Sequence, residues 1–293
     1  MCDSHGCDLT VVVPTYKGSM AYRLNYCWRV IATGLSFALF GVGGILIALL
    51  MTAFFALTPF GADTKQNIAR KMISAAFRFF VNFMRLCGLL TFEVRGEECF
   101  SVPGRLLVAN HPSLIDVVFL ISLIRNADCI VKEGLRHNLF MRGPIFAASY
   151  MGNDTPDLIQ QCGDSLARGG QLIVFPEGAR TVPGCTLRFQ RGAANIAISS
   201  RCDITPILIV CHPATLQKHQ KWYHIASARP HYVFTALPPI AIEPYLNDDE
   251  PQGRCARRLT TFLEGYFTEH MNACKEDALS PNTQGVNAGL DGA

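Results

Sequence analysis

The sequence predicts an α/β fold, with a mixed, largely parallel central sheet flanked by helices, and an N-terminal membrane-associated helical segment ahead of it. From about residue 91 onward, short runs rich in Val and Ile alternate with stretches of helix length. Runs such as Leu172–Phe175 are continuously apolar, as in strands of a sheet that is covered on both faces. A run of 33 residues without Asp, Glu, Lys or Arg, from Val30 to Ala62, predicts the membrane-associated segment.

The chain divides into four predicted regions. Residues 1–30 form an N-terminal extension, and residues 31–90 form the membrane-associated segment. Residues 91–273 form the α/β domain. Residues 274–293 are rich in Asn and Gly and lack periodicity, so we expect a disordered tail.

The apolar heart of the uncharged run, residues 34–58, is long enough to cross a bilayer, for which about 20 residues suffice. Pro59 and Gly61 then end the helix. A signal peptide fits poorly, because the apolar core starts late and runs long. The run could also form a buried helix of a soluble core or a re-entrant hairpin, and the Gly-Val-Gly-Gly segment at 41–44 would supply the bend of such a hairpin.

A basic amphipathic helix is predicted over residues 65–90, where basic side chains recur between Phe, Met and Ile residues. Such a helix either lies in the headgroup plane or packs on the globular domain, and the sequence favours neither. Five basic residues follow the apolar run closely, against three before it, which predicts by the positive-inside rule that the large domain is cytoplasmic. We therefore expect the protein at the cytoplasmic (inner) membrane, with its α/β domain on the cytoplasmic side.

Composition excludes several classes of protein. Apolar residues make up 49% of the 293 residues and charged residues only 17%, which excludes a disordered chain. A net charge of +3 is too small for a nucleic-acid-binding protein. The 12 cysteines include no C-x-x-C pair, so we expect reduced thiols and no metal site. Val11–Tyr16 resembles the first strand of family 2 glycosyltransferases, but no matching second half follows.

In the α/β domain, short Val/Ile runs predict strands and longer periodic stretches predict helices. The predicted strands are Arg105–Ala109, Cys129–Lys132, Gln171–Phe175, Thr205–Val210 and Tyr232–Leu237. The predicted helices are Ile115–Arg125, Leu139–Tyr150, Pro156–Arg168, Gly192–Ser200 and Gln252–Met271.

The first polar cluster follows the predicted strand that ends at Ala109. It holds His111 and, five residues later, Asp116. On one continuous helix these side chains would point about 140° apart. Pro112 fits the first position of a helix, which leaves His111 outside the regular turns and able to fold back toward Asp116. The pair then has the geometry of a general base and the carboxylate that orients it. The alternative is a capping His beside a surface Asp.

The second polar cluster follows the predicted strand Gln171–Phe175. It combines Glu177, Gly178 and Arg180 on one tight turn. Glycine lets the backbone approach a ligand closely, and the guanidinium matches phosphate or carboxylate. The alternative is an ion pair between Glu177 and Arg180 within the loop.

Taken together, the two clusters resemble a known family. His-x4-Asp within Asn110–Asp116, followed about sixty residues later by Phe-Pro-Glu-Gly-x-Arg at Phe175–Arg180, is similar to the glycerolipid acyltransferases, whose familiar members are 1-acyl-glycerol-3-phosphate acyltransferases. Phe189–Ala193 and Ile204–Ile207 resemble two later segments of the same family. The resemblance covers about residues 90–240 and implies a glycerolipid-acyltransferase-like fold.

The resemblance implies that an acyl group moves from acyl-CoA or acyl carrier protein to the hydroxyl of a lipid acceptor at a membrane. It implies His111 as the general base and Asp116 as its orienting partner, with no cofactor, metal or nucleic acid. The substrate-binding residues that it implies are Phe175, Pro176, Glu177, Gly178, Arg180 and Arg191.

One segment departs from the family pattern. The family has an arginine between the two clusters that helps to hold the acceptor phosphate, whereas Ala148–Asp154 contains none and offers only Asn153. Loss of one charge-assisted contact weakens phosphate binding by roughly 1.5–3 kcal/mol. A non-phosphate acceptor, such as a lyso-aminolipid, a glycolipid or a polyene lipid, is therefore an alternative. A non-catalytic lipid-binding protein is disfavoured by the intact His111 and Asp116, and a lipid hydrolase by the absence of a G-x-S-x-G motif.

Overall fold

A computed structural model describes residues 20–138, 141–181, 186–218, 220–221 and 223–279, with side chains as far as residue 274. The glycosyltransferase-like segment Val11–Tyr16 lies outside the described residues, as do residues 280–293 of the predicted tail and 1–19 of the predicted extension.

The domain is built on a seven-stranded sheet with the order β1-β7-β6-β2-β5-β3-β4. All neighbouring strands run parallel except β6 and β7, which confirms the mixed, largely parallel sheet. The strands are β1 (Thr91–Arg95), β2 (Leu106–Ala109), β3 (Ala127–Val131), β4 (Met151–Gly152), β5 (Gln171–Val174), β6 (Ile204–His212) and β7 (His231–Ala236).

Helices cover both faces of the sheet, as its apolar strands predict. They are α1 (Met20–Leu57), α2 (Ala62–Leu86), α3 (Asp116–Leu123), α4 (Glu133–Arg136), α5 (Arg142–Ala147), α6 (Leu158–Ala167), α7 (Gly192–Ser200) and α8 (Gln252–Leu279). One face packs against α1, α2, α3 and α5, and the other against α6, α7 and α8. Successive residues of β2 alternate between the two cores: Leu107 belongs to the first and Val108 to the second.

Several predicted elements differ from the structure. Two strands were not predicted: β1, where Glu93 and Arg95 break the apolar run, and β4, which is only two residues long. The predicted helix Leu139–Tyr150 was wrong over its last residues, because Ser149 has a φ of 53° and ends the helical region after α5. Of the other predicted elements of the domain, the helix Gly192–Ser200 occurs with the predicted ends. The rest occur with shifted ends, the largest shift being the extension of α8 to Leu279.

Helix α1 is longer than the sequence predicts. It begins at Met20, not near residue 34, and continues through residues 41–44 without a break, which overturns the re-entrant hairpin. It packs on α2 and α5 through a few buried side chains, and most of its large apolar side chains are exposed. By length and composition, α1 is the single helix of the described chain that could cross a membrane.

The structure distinguishes between the two predicted positions of α2, on the globular domain or in the headgroup plane. This helix ends at Leu86, not at 90, and its apolar face packs on α3. Arg70 is buried in an ion pair with Asp128, and Arg78 donates two hydrogen bonds to the carbonyl oxygen of Ser122. Because these two guanidinium groups face the domain, α2 packs on the domain and does not lie free in the headgroup plane.

Candidate active site

The first polar cluster lies at the carboxyl end of β2, beside β6. The side chain of Asn110 pairs with the backbone of Ile209 in both directions: its amide donates to the carbonyl (2.8 Å), and its oxygen accepts from the N–H (2.7 Å). The fully buried Asn110 thereby extends the strand ladder by one side chain. It fixes the point at which His111 leaves the sheet, a role that was not predicted from the sequence.

His111 and Asp116 meet. The Nδ1 atom of His111 lies 2.9 Å from Oδ2 of Asp116, and the same oxygen accepts a 2.7 Å hydrogen bond from the backbone N–H of Ser113. Helix α3 begins at Asp116, one residue after the predicted start at Ile115, so Pro112 does not take the first position of a helix. Residues 112–115 instead form a turn that carries His111 back over the helix end.

The Asp116 carboxylate is 0% exposed, and burial raises its pKa above the ordinary range. The two N–H donors to Oδ2 oppose this effect. When Asp116 is ionised, it accepts from Nδ1–H of His111, so Nε2 carries the free lone pair. This arrangement makes Nε2 the atom that can take a proton from a hydroxyl.

The second polar cluster lies beside the first, because β2 and β5 are adjacent parallel strands. The Phe175 ring stacks on the imidazole of His111 with a centroid separation of 4.4 Å. Oε1 of Glu177 accepts from the backbone N–H of His111 (2.9 Å) and from the hydroxyl of Thr181 (2.8 Å). The N–H of Thr181 in turn donates to the carbonyl of His111 (2.7 Å). Glu177 is therefore the bridge between the two clusters, and burial raises its pKa.

Arg180 does not form the loop ion pair with Glu177 that was the alternative reading of the sequence. Its Nη1 atom donates to the carbonyl oxygens of Leu216 and Gln217, each at 2.9 Å. The carbonyl of Leu216 also accepts from the N–H of Leu114 in the first cluster. The connection between β6 and β7 is thus hydrogen-bonded to residues of both polar clusters.

Gly178 and Gln190 form the far side of the second cluster. Gly178 has a φ of +64°, and a β-carbon there would lie 2.7 Å from Nε2 of Gln190. The positive φ favours glycine at this position, whereas the side-chain end of Gln190 could move away from a β-carbon. The backbone N–H of Gln190 donates to the carbonyl of Pro176 (2.7 Å). Arg191 follows as an exposed residue just before α7, next to the cluster but outside the hydrogen bonds that join it to His111.

An arginine from elsewhere in the chain lies next to the segment that lacks one. Asn153 is used structurally, since its Oδ1 accepts from the backbone N–H of Glu133 at the start of α4 (3.0 Å). Arg136 lies on the same short helix and is exposed. A β-carbon on Gly152 would lie 2.8 Å from Nη1 of Arg136 and 2.5 Å from Oδ1 of Asp154. No sequence signal identified Arg136, because its proximity depends on the pairing of β3 with β4.

An apolar cavity of about 260 Å³ borders the first cluster. Leu114 and Ile115, which follow His111 in the chain, line it together with Leu216, and residues of α1, α2 and α3 form much of its wall. Tyr232 also lines it, and its hydroxyl lies 3.1 Å from the hydroxyl oxygen of Ser113. Most of its lining is apolar, so the cavity can hold an apolar chain.

A cysteine nucleophile is disfavoured at this site. Cys211, near the end of β6, contacts Tyr232, whose hydroxyl lies beside Ser113 of the first cluster. Burial raises its pKa to about 12, so it stays protonated at neutral pH.

Comparison with known proteins gives consistent results. The family model described as Acyltransferase matches residues 91–210. A 1-acyl-sn-glycerol-3-phosphate acyltransferase of Saccharomyces cerevisiae is 25% identical over 202 residues, which cover 65% of this chain and 62% of the relative. The enzyme of the same name from Helicobacter pylori is 29% identical over 156 residues, covering 50% of this chain and 63% of the relative. The chain thus spans less than two thirds of the length of these relatives.

A solved structure shares the fold. The crystal structure of the 1-acyl-sn-glycerophosphate acyltransferase PlsC from Thermotoga maritima aligns with a TM-score of 0.64 and 17% identity, covering 89% of this chain and 100% of that one. At this identity the likeness shows the fold alone.

Proposed function

Because the chain belongs to the glycerolipid acyltransferase family, we propose that it moves a fatty acyl group from acyl-CoA or acyl carrier protein to the hydroxyl of a lysophospholipid such as 1-acyl-glycerol-3-phosphate. The observation that carries this proposal is the contact of His111 Nδ1 with the buried Asp116 carboxylate at 2.9 Å. This contact leaves Nε2 as the free base, and an apolar cavity lined by Leu114 and Ile115 of the same cluster lies nearby.

The proposed reaction begins with proton transfer. Nε2 of His111 takes the proton of the acceptor hydroxyl as its oxygen attacks the thioester carbonyl and a C–O bond forms. The C–S bond of the tetrahedral intermediate then breaks, and the leaving thiolate takes the proton from the imidazolium. Asp116 stabilises the positive charge on the imidazolium between these two steps. The acyl group passes directly from donor to acceptor, without a covalent acyl-enzyme.

We assign the acyl chain to the apolar cavity. Leu114 and Ile115, which line the cavity, are only three and four residues after His111 in the sequence. We therefore expect an acyl chain in the cavity to have its thioester carbonyl near the base. Most of the wall is aliphatic and aromatic, and burial of each methylene in such a site contributes about 0.8 kcal/mol. The binding energy of the chain thereby positions the thioester for attack.

We assign the acceptor head to the second cluster and its neighbours. Phe175, Pro176, Glu177, Gly178 and Arg180 are proposed to form its wall, with Arg191 at the edge. Both the Glu177 Oε1 atom and the Arg180 guanidinium already have protein partners, so their contribution is to hold this wall in place as well as to contact the head.

Arg136 supports a phosphate acceptor. Its guanidinium lies over Gly152, as does the carboxylate of Asp154, within the segment where the family arginine is missing. A cation from α4 would supply the charge that Asn153 lacks, which favours 1-acyl-glycerol-3-phosphate over the non-phosphate acceptors. The names of the curated relatives agree with this choice.

We further propose that α1 holds the enzyme at the cytoplasmic (inner) membrane with the α/β domain on the cytoplasmic side. The exposed apolar face of α1 and the excess of basic residues after it support this arrangement. A non-catalytic lipid-binding role is the second candidate, and it is disfavoured by the complete His111–Asp116 pair.

The test is acyl transfer by the purified full chain in lipid vesicles. The acceptors are 1-acyl-glycerol-3-phosphate, a lyso-aminolipid and a monoacylated glycolipid, each offered with palmitoyl-CoA and with palmitoyl-acyl carrier protein, and the products are read by mass spectrometry. We expect phosphatidic acid from the wild type and none above background from His111→Ala.

Turnover that is unchanged in His111→Ala would overturn the assignment of the base. Acylation of a non-phosphate acceptor alone would overturn the assignment of the acceptor. Absence of any acylated product would overturn the proposed acyltransferase activity and favour the lipid-binding role.

A further inference from the structure

The cavity next to His111 is not uniformly apolar, because α1 contributes a polar stripe made of Arg29, Thr33 and Ser36. These residues have the spacing i, i+4, i+7 and therefore lie on one face of the helix, over about 10 Å of its length. Except for this stripe, α1 presents mainly large apolar side chains. Three polar residues of an apolar helix thus face the one space where we assign an acyl chain.

Arg29 is only 5% exposed, although its charge is fixed. Its Nη2 atom donates to the carbonyl oxygens of Ala226 (3.0 Å) and Ala228 (2.8 Å), while its Nε atom is buried without an acceptor. No carboxylate in the described part of the chain forms an ion pair with it. A buried guanidinium of this kind favours any ligand that brings an oxygen to it.

Thr33 and Ser36 supply the opposite hydrogen-bonding character. The hydroxyl of Thr33 donates to the carbonyl of Arg29 (2.7 Å), and the hydroxyl of Ser36 donates to the carbonyl of Ala32 (2.8 Å). With their hydrogens committed to the helix backbone, both oxygens keep lone pairs and act toward the cavity as acceptors. The stripe therefore combines the donors of a guanidinium with two hydroxyl acceptors.

We propose that this stripe makes the enzyme select acyl chains that carry a hydroxyl group. A hydroxyl both accepts and donates, so it can accept from Arg29 and donate to Thr33 or Ser36 at once. A carboxylate or keto group would satisfy only the donor, and a saturated chain would satisfy neither. The proposal rests on the assignment of the cavity to the acyl chain in the proposed function.

The experiment measures donor preference in competition. The full-length protein in vesicles receives equal amounts of saturated octadecanoyl-CoA and one monohydroxylated octadecanoyl-CoA, with 1-acyl-glycerol-3-phosphate as acceptor. Mass spectrometry of the two products gives the ratio of their kcat/KM values. Because the stripe runs along the cavity wall, a set of positional isomers is tested, with the hydroxyl at successive positions of the chain.

We expect the wild type to prefer at least one hydroxylated isomer about ten-fold or more, as for a hydrogen bond to a charged group. The double variant Thr33→Val with Ser36→Ala should lose this preference. Thr52→Val is the matched control, because Thr52 makes the same hydroxyl-to-carbonyl bond within α1 (to Ala48, 2.8 Å) but is exposed and lies away from the cavity. It should keep the wild-type preference. Arg29 is left intact, since it also holds Ala226 and Ala228.

Equal kcat/KM values of the wild type for the saturated donor and for every hydroxylated isomer would overturn the proposal. Water would then satisfy the polar groups of the stripe in place of a chain hydroxyl. Retention of the preference in the double variant would also overturn it. If no donor is turned over, the proposed function fails instead. The stripe is then tested by binding alone, with the affinities of saturated and hydroxylated octadecanoyl-CoA measured by calorimetry, and equal affinities would contradict selection.

Discussion

Replacement of Asp116 by Asn isolates the contribution of charge at the proposed base. The Asp116 carboxylate is 0% exposed, and its Oδ2 atom takes the N–H groups of both His111 and Ser113. Asparagine has the same shape, and its single oxygen can accept both bonds. Its NH₂ group then occupies the place of Oδ1, which has no hydrogen-bond partner in the described structure. The variant thus keeps the geometry and removes the negative charge.

The size of the effect follows from the separation of the two groups. With His111 Nδ1 at 2.9 Å from Oδ2, the centres of an imidazolium and a carboxylate lie about 4 Å apart, which corresponds to about 4 kcal/mol at an effective dielectric constant of about 20. Loss of that stabilisation from the proton-transfer step lowers kcat about a thousandfold. The acceptor and donor contact other residues, so we expect KM to change little.

The assay measures initial rates of lipid acylation at saturating substrate, with the product quantified by mass spectrometry. Thiol reagents for released CoA are unsuitable, because the chain itself contains 12 cysteines. Asp128→Asn is the matched control: it changes another buried carboxylate, which bonds Arg70 and Ser165 and not His111. We expect it to lower thermal stability and to leave kcat per folded molecule near wild type. An Asp116→Asn enzyme that melts like wild type and keeps more than about a tenth of its kcat would refute this reasoning.

Three further perturbations test other contacts. Arg70→Met leaves the Asp128 carboxylate buried without its partner, which costs about 3–5 kcal/mol of stability. We therefore expect calorimetry to show a Tm about 6–20 °C lower, and most of this loss should be restored when Asp128→Leu is added. If the second substitution restores nothing, the unpaired charge is not the cause. Burial raises the pKa of Glu177 above its ordinary 4.5, so the folded state holds the proton more tightly, and the free energy of unfolding falls as pH rises from about 4.5 through the folded pKa. Glu177→Gln should flatten that part of the pH profile in urea titrations, and an unchanged slope would exclude Glu177 as its source. Arg136→Gln should raise the KM for 1-acyl-glycerol-3-phosphate about two- to ten-fold, with kcat nearly unchanged, in rate measurements over acceptor concentration, whereas equal KM values would remove Arg136 from the acceptor site.

The sequence by itself determined the class of fold and where the candidate site residues stand along the chain. Apolar strands that end in polar residues are recognisable in a single sequence, because the hydrophobic pattern is local. In a parallel sheet, neighbouring strands end at the same edge. The polar residues after Ala109 and after Val174 could therefore be expected to meet, and in the structure the rings of His111 and Phe175 do stack. The long apolar helix was predictable for the same local reason.

The partner of each polar side chain was decided only by the tertiary structure. Arg180 could as well have paired with Glu177 three residues away, but the connection between β6 and β7 brings two carbonyl oxygens to it. Arg70 looked like part of a basic surface until the packing of α2 placed Asp128 against it. Arg136 reaches Gly152 because β3 and β4 are paired. Hydrogen bonds and ion pairs form over a few ångströms between groups that the order of strands brings together, and that order is a property of the whole sheet and not of any one segment.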